Sequence, residues 1–340
     1  MRLDRRESLR RVGWLVGAPA AQAQRGGGAP PNHRLAPVLE LINVPEFEPM
    51  ARLVLPKAQF DRISGGHRRS FDKMTFRQRL MVYAMDLDLT TPLFGHDMFA
   101  PIIVGPLAGQ HALHPEGEVA TARGASAGKA VMVATGDAPI ARVVGAGDQP
   151  VWFQVYADAA GAGDAAAGAV EAGCAAVCVT LGVSADHRPA AIDWGAVRRL
   201  GETVDVPVVA KGIMSVDQAR AALDAGADGL VVSNHGGLVG GAQALPVDVL
   251  PAVADAVGDR APILVDGSFR RGTDVLKGLA LGATAVMVAR PAMWGLAAYG
   301  ADGVQAVVEL LQTELARNMA ASGRPTIPMI DRELVRFDRF

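Results

Sequence analysis

Short apolar segments alternate with alanine-rich stretches along the chain from Pro101 onward. Each segment is apolar throughout instead of alternating with polar residues, which is typical of a strand buried on both faces of a parallel sheet. The stretches between them, such as Ser215–Gly226 and Thr273–Gly282, are long enough for a helix and its loops. We interpret eight segments as strands: Pro101–Pro106, Val131–Thr135, Val151–Tyr156, Ala176–Thr180, Val206–Lys211, Leu230–His235, Ile263–Gly267 and Ala285–Arg290.

Eight strand–helix units within about 200 residues predict an α/β fold, a (β/α)8 TIM barrel with an N-terminal helical extension. A doubly wound sheet is the alternative, but no Gly-x-Gly-x-x-Gly turn opens a helix after any of these strands, so the main sign of a Rossmann fold is missing. The last helix has the clearest apolar stripe. Its members are Val304, Val307, Val308, Leu311, Leu315 and Met319.

Barrel enzymes build their sites at the C-terminal ends of the strands, so the residues at those ends are candidates for function. Seven of the eight predicted strands end in a side chain that can hydrogen-bond or carry charge. A ring of such residues is expected around an anionic cofactor and a proton-transfer step. In chain order, the strand ends are Pro106, Thr135, Gln154 with Tyr156, Thr180, Lys211, Ser233 with His235, Asp266 and Arg290.

The last three of these strand ends are the most informative about function. Ser233–Gly237 reads Ser-Asn-His-Gly-Gly, which suits a histidine base with open backbone beside it; a turn that merely contains a histidine is the alternative. Asp266–Gly272 and Ala289–Pro291 follow the seventh and eighth strands, where barrels usually bind phosphate through backbone N–H groups and arginine. For Arg270 and Arg271 the alternative is a solvated basic turn.

Composition excludes some classes of partner. The chain has 340 residues, of which 50% are hydrophobic and 20% are charged, so it can bury a large core. Its formal net charge of −2 and the lack of a basic stripe give no reason to expect nucleic acid. Cys174 and Cys178 are the only cysteines. We interpret them as buried thiols, and we expect no metal site.

Residues 1–34 differ from the rest of the chain. Paired arginines, Arg5 and Arg6, precede a short apolar run, Val12–Ala21, and the small residues Ala21-Gln22-Ala23. This order predicts a twin-arginine export signal and a periplasmic or exported protein; a disordered basic leader on a cytoplasmic protein is the alternative. A Gly/Pro linker follows at Gly26–Pro31, so we expect one folded domain over residues 35–340. No run approaches the ~20 apolar residues of a membrane span.

The order of several motifs resembles the FMN-dependent α-hydroxy-acid oxidase and dehydrogenase family, which includes glycolate oxidase, lactate oxidase and mandelate dehydrogenase. The resemblance covers about residues 41–335. The matching motifs are His114–Glu118, Gln154–Tyr156, Lys211–Ile213, Ser233–Gly237, Asp266–Asp274, Leu281–Ala283, Arg290-Pro291 and Trp294–Ala297.

The resemblance implies that the cofactor is FMN and that the strand ends hold it. The residues implied to contact the flavin ring are Pro106, Leu107, Ala108, Thr135, Gln154, Thr180, Lys211 and Ser233. Those implied to hold the ribityl chain and phosphate are Asp266, Gly267, Ser268, Phe269, Arg270, Ala289 and Arg290.

The resemblance also implies an activity, the oxidation of an L-2-hydroxy acid to the 2-oxo acid. His235 would take the proton and flavin N5 would accept the hydride or electrons. Lys211 would stabilise negative charge on the reduced flavin. Asp266 would orient His235 and stabilise its imidazolium. Tyr156 would hydrogen-bond the substrate.

The chain departs from the family pattern around the substrate. Leu238 stands where the family has an arginine that binds the substrate carboxylate, and Gly182 stands where it has an aspartate beside the histidine. Arg62 aligns with a substrate-binding tyrosine, and Arg188 is the nearest candidate for a second arginine. The segment Thr180–Val206 is also much shorter than in the family, so most of the lid over the site is missing.

These departures leave two main hypotheses. In the first, Arg62 and Arg188 bind the carboxylate and the protein is a working 2-hydroxy-acid oxidase or dehydrogenase, with oxygen, a quinone or a cytochrome as acceptor. In the second, the protein binds flavin but acts on another substrate or turns over little. Retention of Lys211 and His235 favours the first. An isomerase related to type 2 isopentenyl-diphosphate isomerase is a third reading, disfavoured by the histidine motif. The resemblance further implies a homo-oligomer.

Overall fold

The computed structural model describes residues 34–77, 86–239 and 245–337. Residues Leu35–Phe340 form one compact unit. The predicted export signal lies outside the described residues.

Eight parallel strands close into a barrel, in which each strand pairs with the next and β11 pairs with β4. This confirms the predicted (β/α)8 architecture. Two further sheets are small: β1 pairs with β12, and β2 with β3. The barrel strands are β4 (Ile102–Val104), β5 (Val131–Ala134), β6 (Val151–Tyr156), β7 (Val177–Thr180), β8 (Val208–Ile213), β9 (Gly229–Val232), β10 (Ile263–Val265) and β11 (Ala285–Val288). The others are β1 (Met74–Phe76), β2 (Thr91–Leu93), β3 (His96–Met98) and β12 (Val335–Phe337).

The continuous apolar segments are explained by two separate cores. Successive side chains of a strand point to opposite faces, so alternate residues pack inside the barrel and against the surrounding helices. Ile103 and Cys178 belong to the inner core, whereas Ile102 and Val179 belong to the outer one. The β2–β3 hairpin closes the end of the barrel at which the strands begin: Phe94 packs on Trp152, with ring centroids 5.6 Å apart. The opposite end is therefore the one available for a site.

The helices cover the outside of the barrel, and the predicted stripe of the last helix is fully buried in the core. That helix, α11, contains a break at Gly300, where φ is 62°. The helices are α1 (Phe47–Val54), α2 (Lys57–Ile63), α3 (Arg69–Asp72), α4 (Gly117–Ala127), α5 (Ile140–Val144), α6 (Ala162–Glu171), α7 (Trp194–Thr203), α8 (Val216–Asp224), α9 (Pro246–Val257), α10 (Gly272–Ala280) and α11 (Arg290–Ala321). Short 3-10 helices lie at Val38–Glu40, Val44–Glu46, Gln110–Ala112, His235–Gly237, Gly258–Arg260, Ile327–Met329 and Arg332–Leu334.

Three predicted strand ends need correction. Strand β8 continues past Lys211 to Ile213 through an irregularity at Gly212, where φ is 116°. Strand β9 ends at Val232, and His235 lies in the 3-10 turn beyond it. Arg290 is the first residue of α11 and not the last of a strand. A glycine-rich turn and a proline after Arg290 end the β conformation earlier than the apolar pattern alone indicates.

No helix within the described ranges combines the length and the apolar character needed to cross a membrane.

Candidate active site

Four polar side chains from the ends of β8, β9 and β10 meet at the open end of the barrel. Lys211 Nζ lies 2.9 Å from Ser233 Oγ, 3.1 Å from Asp266 Oδ2 and 3.1 Å from His235 Nδ1. Ser233 Oγ donates to Asp266 Oδ2 at 2.8 Å. Lys211 is almost completely buried, so its ion pair with Asp266 compensates for the loss of water around the charge.

His235 is a neutral imidazole in this cluster. Burial, reinforced by the neighbouring charge of Lys211, lowers the pKa of His235 to about 2. Its backbone is left-handed, with φ at 47°, which is unusual for a residue with a side chain. Its buried Nε2 has no hydrogen-bond partner among the described residues. Only glycine fits beside that nitrogen, because a Cβ at Gly212 would lie 2.9 Å from it. A neutral imidazole with a free Nε2 is in the protonation state that a base requires.

The low pKa of His235 predicts an acid sensitivity of the fold. Below pH 6.5, the usual pKa of histidine, the unfolded chain binds a proton that the folded chain does not. The free energy of unfolding therefore decreases as the pH decreases. From pH 6.5 to 5 the loss is about 2 kcal/mol. Urea unfolding over this range should show a steeper pH dependence for the wild type than for His235→Asn. Equal pH dependences would contradict the burial of a neutral ring.

The Asp266 carboxylate, expected to orient His235, contacts Lys211 and Ser233 in the structure. Both of these residues contact His235 in turn: Lys211 Nζ lies 3.1 Å from His235 Nδ1, and the His235 backbone N–H donates to Ser233 Oγ at 3.3 Å. The lysine is the stronger partner for a partly buried carboxylate because it is charged. At Gly182, where the family aspartate is missing, an added Cβ would meet Val239 at 3.4 Å. The wall there is apolar.

Three of the residues expected at the ring edges differ in their free hydrogen-bonding capacity. Thr180 has a buried hydroxyl with no partner in the described part of the chain. Gln154 is buried and lies beside Tyr156. Thr135 donates from its hydroxyl to Glu118 Oε1 at 2.8 Å. Because a buried unpaired hydroxyl is costly, the Thr180 side chain fits a ligand that completes it.

Two carboxylates that sequence reasoning missed hold the loops after β4 and β5. Glu118 is fully buried and also accepts from the Ala138 N–H at 3.2 Å; burial raises its pKa, and these hydrogen bonds oppose the shift. Asp137 accepts from the backbone N–H of Gly109 and, at 3.0 Å, from that of Gln110. Glu118 was in a quoted motif, but only its partners, which are distant in sequence, reveal what it does.

Two buried guanidinium groups lie together beyond β10 and β11. Arg270 donates to the carbonyls of Phe269 and Gly65, at 2.9 and 3.1 Å, and stacks over the Trp294 ring at 4.6 Å. Arg290 Nη1 lies 3.4 Å from the carbonyl of Ser64. Burial lowers the pKa of Arg270 to about 9, and the charge of Arg290 lowers it further in the same direction. Two like charges held mainly by carbonyls fit a phosphate group between them.

The loop expected to hold the phosphate contains one buried apolar side chain. The Phe269 side chain is in the core, with its ring centroid 4.9 Å from that of Phe71. Only its backbone is left to face a cofactor. Gly267 and Ser268 both have left-handed backbones, with φ at 97° and 62°. Successive left-handed residues turn the chain tightly beneath the two arginines.

A family model described as FMN-dependent dehydrogenase matches residues 64–189 and 183–337 of the chain. The chain belongs to this family. Its cofactor is accordingly FMN, and the unpaired hydroxyl of Thr180 and the two buried arginines are consistent with that cofactor.

Known proteins of similar sequence agree with this chain in length, and a solved structure agrees with it in fold. It is 32% identical to a peroxisomal (S)-2-hydroxyacid oxidase of Arabidopsis thaliana, covering 87% of this chain and 97% of the relative. It is 34% identical to 4-hydroxymandelate oxidase of Amycolatopsis orientalis, covering 83% and 94%. A crystal structure of mandelate oxidase with (S)-2-phenylpropionate superimposes with a TM-score of 0.80 at 32% identity, covering 87% of this chain and 98% of that one.

Gly66 packs against the residues expected to hold the phosphate. Its φ is 111°, and an added Cβ would lie 2.9 Å from Arg290 Nη2, 3.0 Å from Ser268 Oγ and 3.2 Å from Arg270 Nη2. The segment that follows α2 therefore packs directly on the phosphate-binding groups. In the sequence, the adjacent Gly65 and Gly66 indicate a turn at this point but not what the turn contacts.

Replacing Gly66 with alanine should weaken FMN binding by about tenfold or more, because the methyl group displaces the arginines. The dissociation constant is measured by fluorescence titration of the apoprotein. Gly65→Ala is the matched control: Gly65 is also left-handed, with φ at 79°, but has nothing within 4 Å of its Cβ position. Equal losses of affinity in the two variants would show that backbone strain alone is responsible.

The expected substrate-binding residues are only partly brought together. Tyr156 is half-buried, and its hydroxyl lies 3.4 Å from Nδ1 of His187, a residue not expected at the site. Arg62 donates to the carbonyl of Ala108 at 3.1 Å, so it lies along the flavin-facing loop. Arg188 is exposed, and the contacts that the structure shows for it are backbone bonds to Ser184.

Proposed function

We propose that this FMN-dependent enzyme oxidises an L-2-hydroxy acid to the 2-oxo acid. The observation that carries the proposal is the neutral imidazole of His235 beside the buried Lys211 at the open end of the barrel. The names of the relatives agree, since they include (S)-2-hydroxyacid, glycolate and L-lactate oxidases.

The proposed division of roles follows from the contacts. The oxidation removes two electrons and two protons from the hydroxy acid, and FMN, when bound, accepts the hydride or electrons at N5. His235 takes the remaining proton from the substrate. The Lys211 ammonium, held by Asp266 and Ser233, stabilises negative charge that develops beside it. Tyr156 donates a hydrogen bond to the substrate.

We propose that one end of the site binds the flavin ring and the other end binds the phosphate. The buried hydroxyl of Thr180 and the amide of Gln154 would hydrogen-bond the ring, and the backbone of Pro106–Ala108 would lie along it. Arg270 and Arg290 would hold the phosphate as charged donors.

The test is anaerobic mixing of the holoenzyme with aliphatic and aromatic L-2-hydroxy acids. At least one should remove the oxidised-flavin absorbance and form the 2-oxo acid in stoichiometric amount. The D-enantiomers are the control, and they should react far more slowly. If no L-2-hydroxy acid reduces the flavin, the proposal fails.

In that case Leu238 and Gly182 favour the second candidate function, a flavin protein that acts on another substrate or turns over little. Turnover without net flavin reduction would instead identify an isomerase.

The electron acceptor is proposed to be oxygen, a quinone or a cytochrome. The relatives include oxidases and a flavocytochrome b2, whose solved structure is 26% identical with a TM-score of 0.83. Reoxidation of the reduced enzyme by oxygen, a soluble quinone and a cytochrome, compared at equal concentration, distinguishes them. We also propose that the enzyme is a homo-oligomer, which its mass in solution tests.

We propose that residues 1–34 direct export by the twin-arginine route, supported by the paired Arg5 and Arg6 before an apolar run. Cell fractionation of the wild type and of the double variant Arg5→Lys, Arg6→Lys tests this. The double variant should remain inside the cell, and an unchanged distribution would refute export.

A further inference from the structure

A tight turn occupies the place of the missing lid, between β7 and α7. Val183 and Pro189 form an antiparallel bridge, and within it the Ser184 N–H donates to the carbonyl of Arg188 at 2.9 Å. The His187 N–H donates back to the carbonyl of Ser184 at 2.9 Å. The Ala185 N–H donates to the Asp158 carboxylate at 3.2 Å, which ties the turn to the loop after β6. The turn is therefore a defined structure on the rim of the site.

His187 is the side chain that this turn directs at the site. Its backbone is left-handed, with φ at 59°, a conformation uncommon for a residue with a side chain and often found at functional positions. The ring packs edge-to-face on Tyr156, with centroids 5.8 Å apart and an interplanar angle of 82°. His187 is otherwise exposed, so the ring can reach a ligand that enters between Tyr156 and solvent.

His187 is also close enough to the proposed base to act on it electrostatically. A positive charge on His187 lowers the pKa of His235, although burial and Lys211 contribute more. The turn and the 3-10 segment that carries His235 thus face the same space. Tyr156, which His187 contacts, lies on the strand between them and the flavin-facing loops.

Apart from Arg62 and Arg188, the described residues on this face of the site offer little to hold a carboxylate. Leu238 replaces the arginine of the family pattern, and 39% of its surface is exposed. Asp137 and Asp158 act on Tyr156 as negative charges and raise its pKa, after burial as the main cause. These two negative charges repel a substrate carboxylate unless a cation or a hydrogen-bond donor lies between them and the substrate.

We propose that His187 binds the substrate carboxylate beside Tyr156 and is the residue that compensates for Leu238. The proposal rests on the oxidation of a 2-hydroxy acid proposed above. An imidazole donates through one nitrogen at a time toward such a ligand, whereas arginine binds both carboxylate oxygens. His187 therefore acts on affinity, and the proton transfer is left to His235.

The experiment compares His187→Ala and His187→Asn with wild-type holoenzyme in the anaerobic reductive half-reaction. Both variants should raise the substrate dissociation constant about 10- to 100-fold, the range for losing a charged hydrogen bond. The limiting rate of flavin reduction should stay within about threefold. Asparagine tolerates left-handed backbone, so His187→Asn keeps the turn folded if alanine disturbs it. His187→Arg should restore most of the affinity.

A second readout does not depend on turnover. Binding of the 2-oxo acid product to the oxidised enzyme, followed by the change in the flavin spectrum, should weaken by the same factor in both neutral variants. Asp186→Ala, in the same turn, is the matched control and should leave both affinities unchanged. Unchanged affinity in His187→Asn, or a loss in Arg188→Ala instead, would overturn the proposal. Failure of the wild type to be reduced by any hydroxy acid would refute the proposed function itself, so the two failures are distinguishable.

Discussion

Replacing His235 with asparagine should slow flavin reduction by a 2-hydroxy acid about 10²- to 10⁴-fold, the range that a positioned general base contributes. The loss should appear in the limiting rate at saturating substrate, because the base acts in the transition state and adds little to substrate binding. FMN should remain bound, since the buried arginines lie at the other end of the site. Anaerobic stopped-flow absorbance measures the rate, and flavin content per chain measures the cofactor.

His96→Asn is the matched control for that measurement. His96 begins strand β3 in the hairpin that closes the opposite end of the barrel, so its loss should leave the rate of flavin reduction unchanged. If His235→Asn is reduced within tenfold of the wild-type rate, the base is another group or the substrate is not a hydroxy acid. A wild type that reacts with a panel of L-2-hydroxy acids separates these explanations.

Replacing Asp274 with alanine should reduce the free energy of unfolding by about 3 kcal/mol, the cost of breaking a buried ion pair from one side. Asp274 is completely buried in the first turn of α10. It pairs with Arg68, with Nη2 to Oδ1 at 2.9 Å, and accepts from the backbone N–H groups of Arg270 and Arg271, each at 2.9 Å. Its loss removes both hydrogen bonds to the Arg68 guanidinium and leaves two N–H donors unsatisfied. Urea unfolding measures the change.

The same variant should bind FMN more weakly, because Asp274 fixes the backbone from which Arg270 reaches the phosphate. Asp255→Ala is the control. Asp255 forms the same kind of paired contact with Arg332, at 2.8 and 2.9 Å, but in an exposed position. Exposed pairs contribute little, so its unfolding midpoint and FMN affinity should match the wild type. Equal unfolding of the Asp274 and Asp255 variants would show that burial of the first pair is not stabilising.

The barrel could be predicted from the sequence because its strands are buried on both faces. Val131–Ala134 is apolar at every position and Val177–Thr180 at every position but the last, since alternate residues enter two different cores. The same rule made the strand ends informative. Lys211 and Asp266 were expected at one end of the barrel by topology alone, and they form an ion pair there.

The remainder of the site depends on contacts between residues distant in sequence. No pattern near Gly66 indicates that it packs on Arg290, which follows more than 200 residues later. The partner of Asp266 is a contact of the same kind: the resemblance implied His235, and the structure shows an ion pair with Lys211. His187 lies in a segment whose alignment to the family is uncertain because the lid is shortened, so its contact with Tyr156 could only be found in the structure.

Because Arg270 and Arg290 lie close together in space, we expect the amount of this protein in the cell to depend on the supply of its cofactor. Without an anion, Arg270 and Arg290 repel each other in a buried setting, and the free energy of that repulsion is lost from the stability of the empty barrel. A ligand that binds only the folded chain adds about 2.7 kcal/mol at one hundred times its dissociation constant. Riboflavin starvation should therefore shift newly made chains toward proteolysis, and the cell would hold less of the protein instead of a store of empty enzyme.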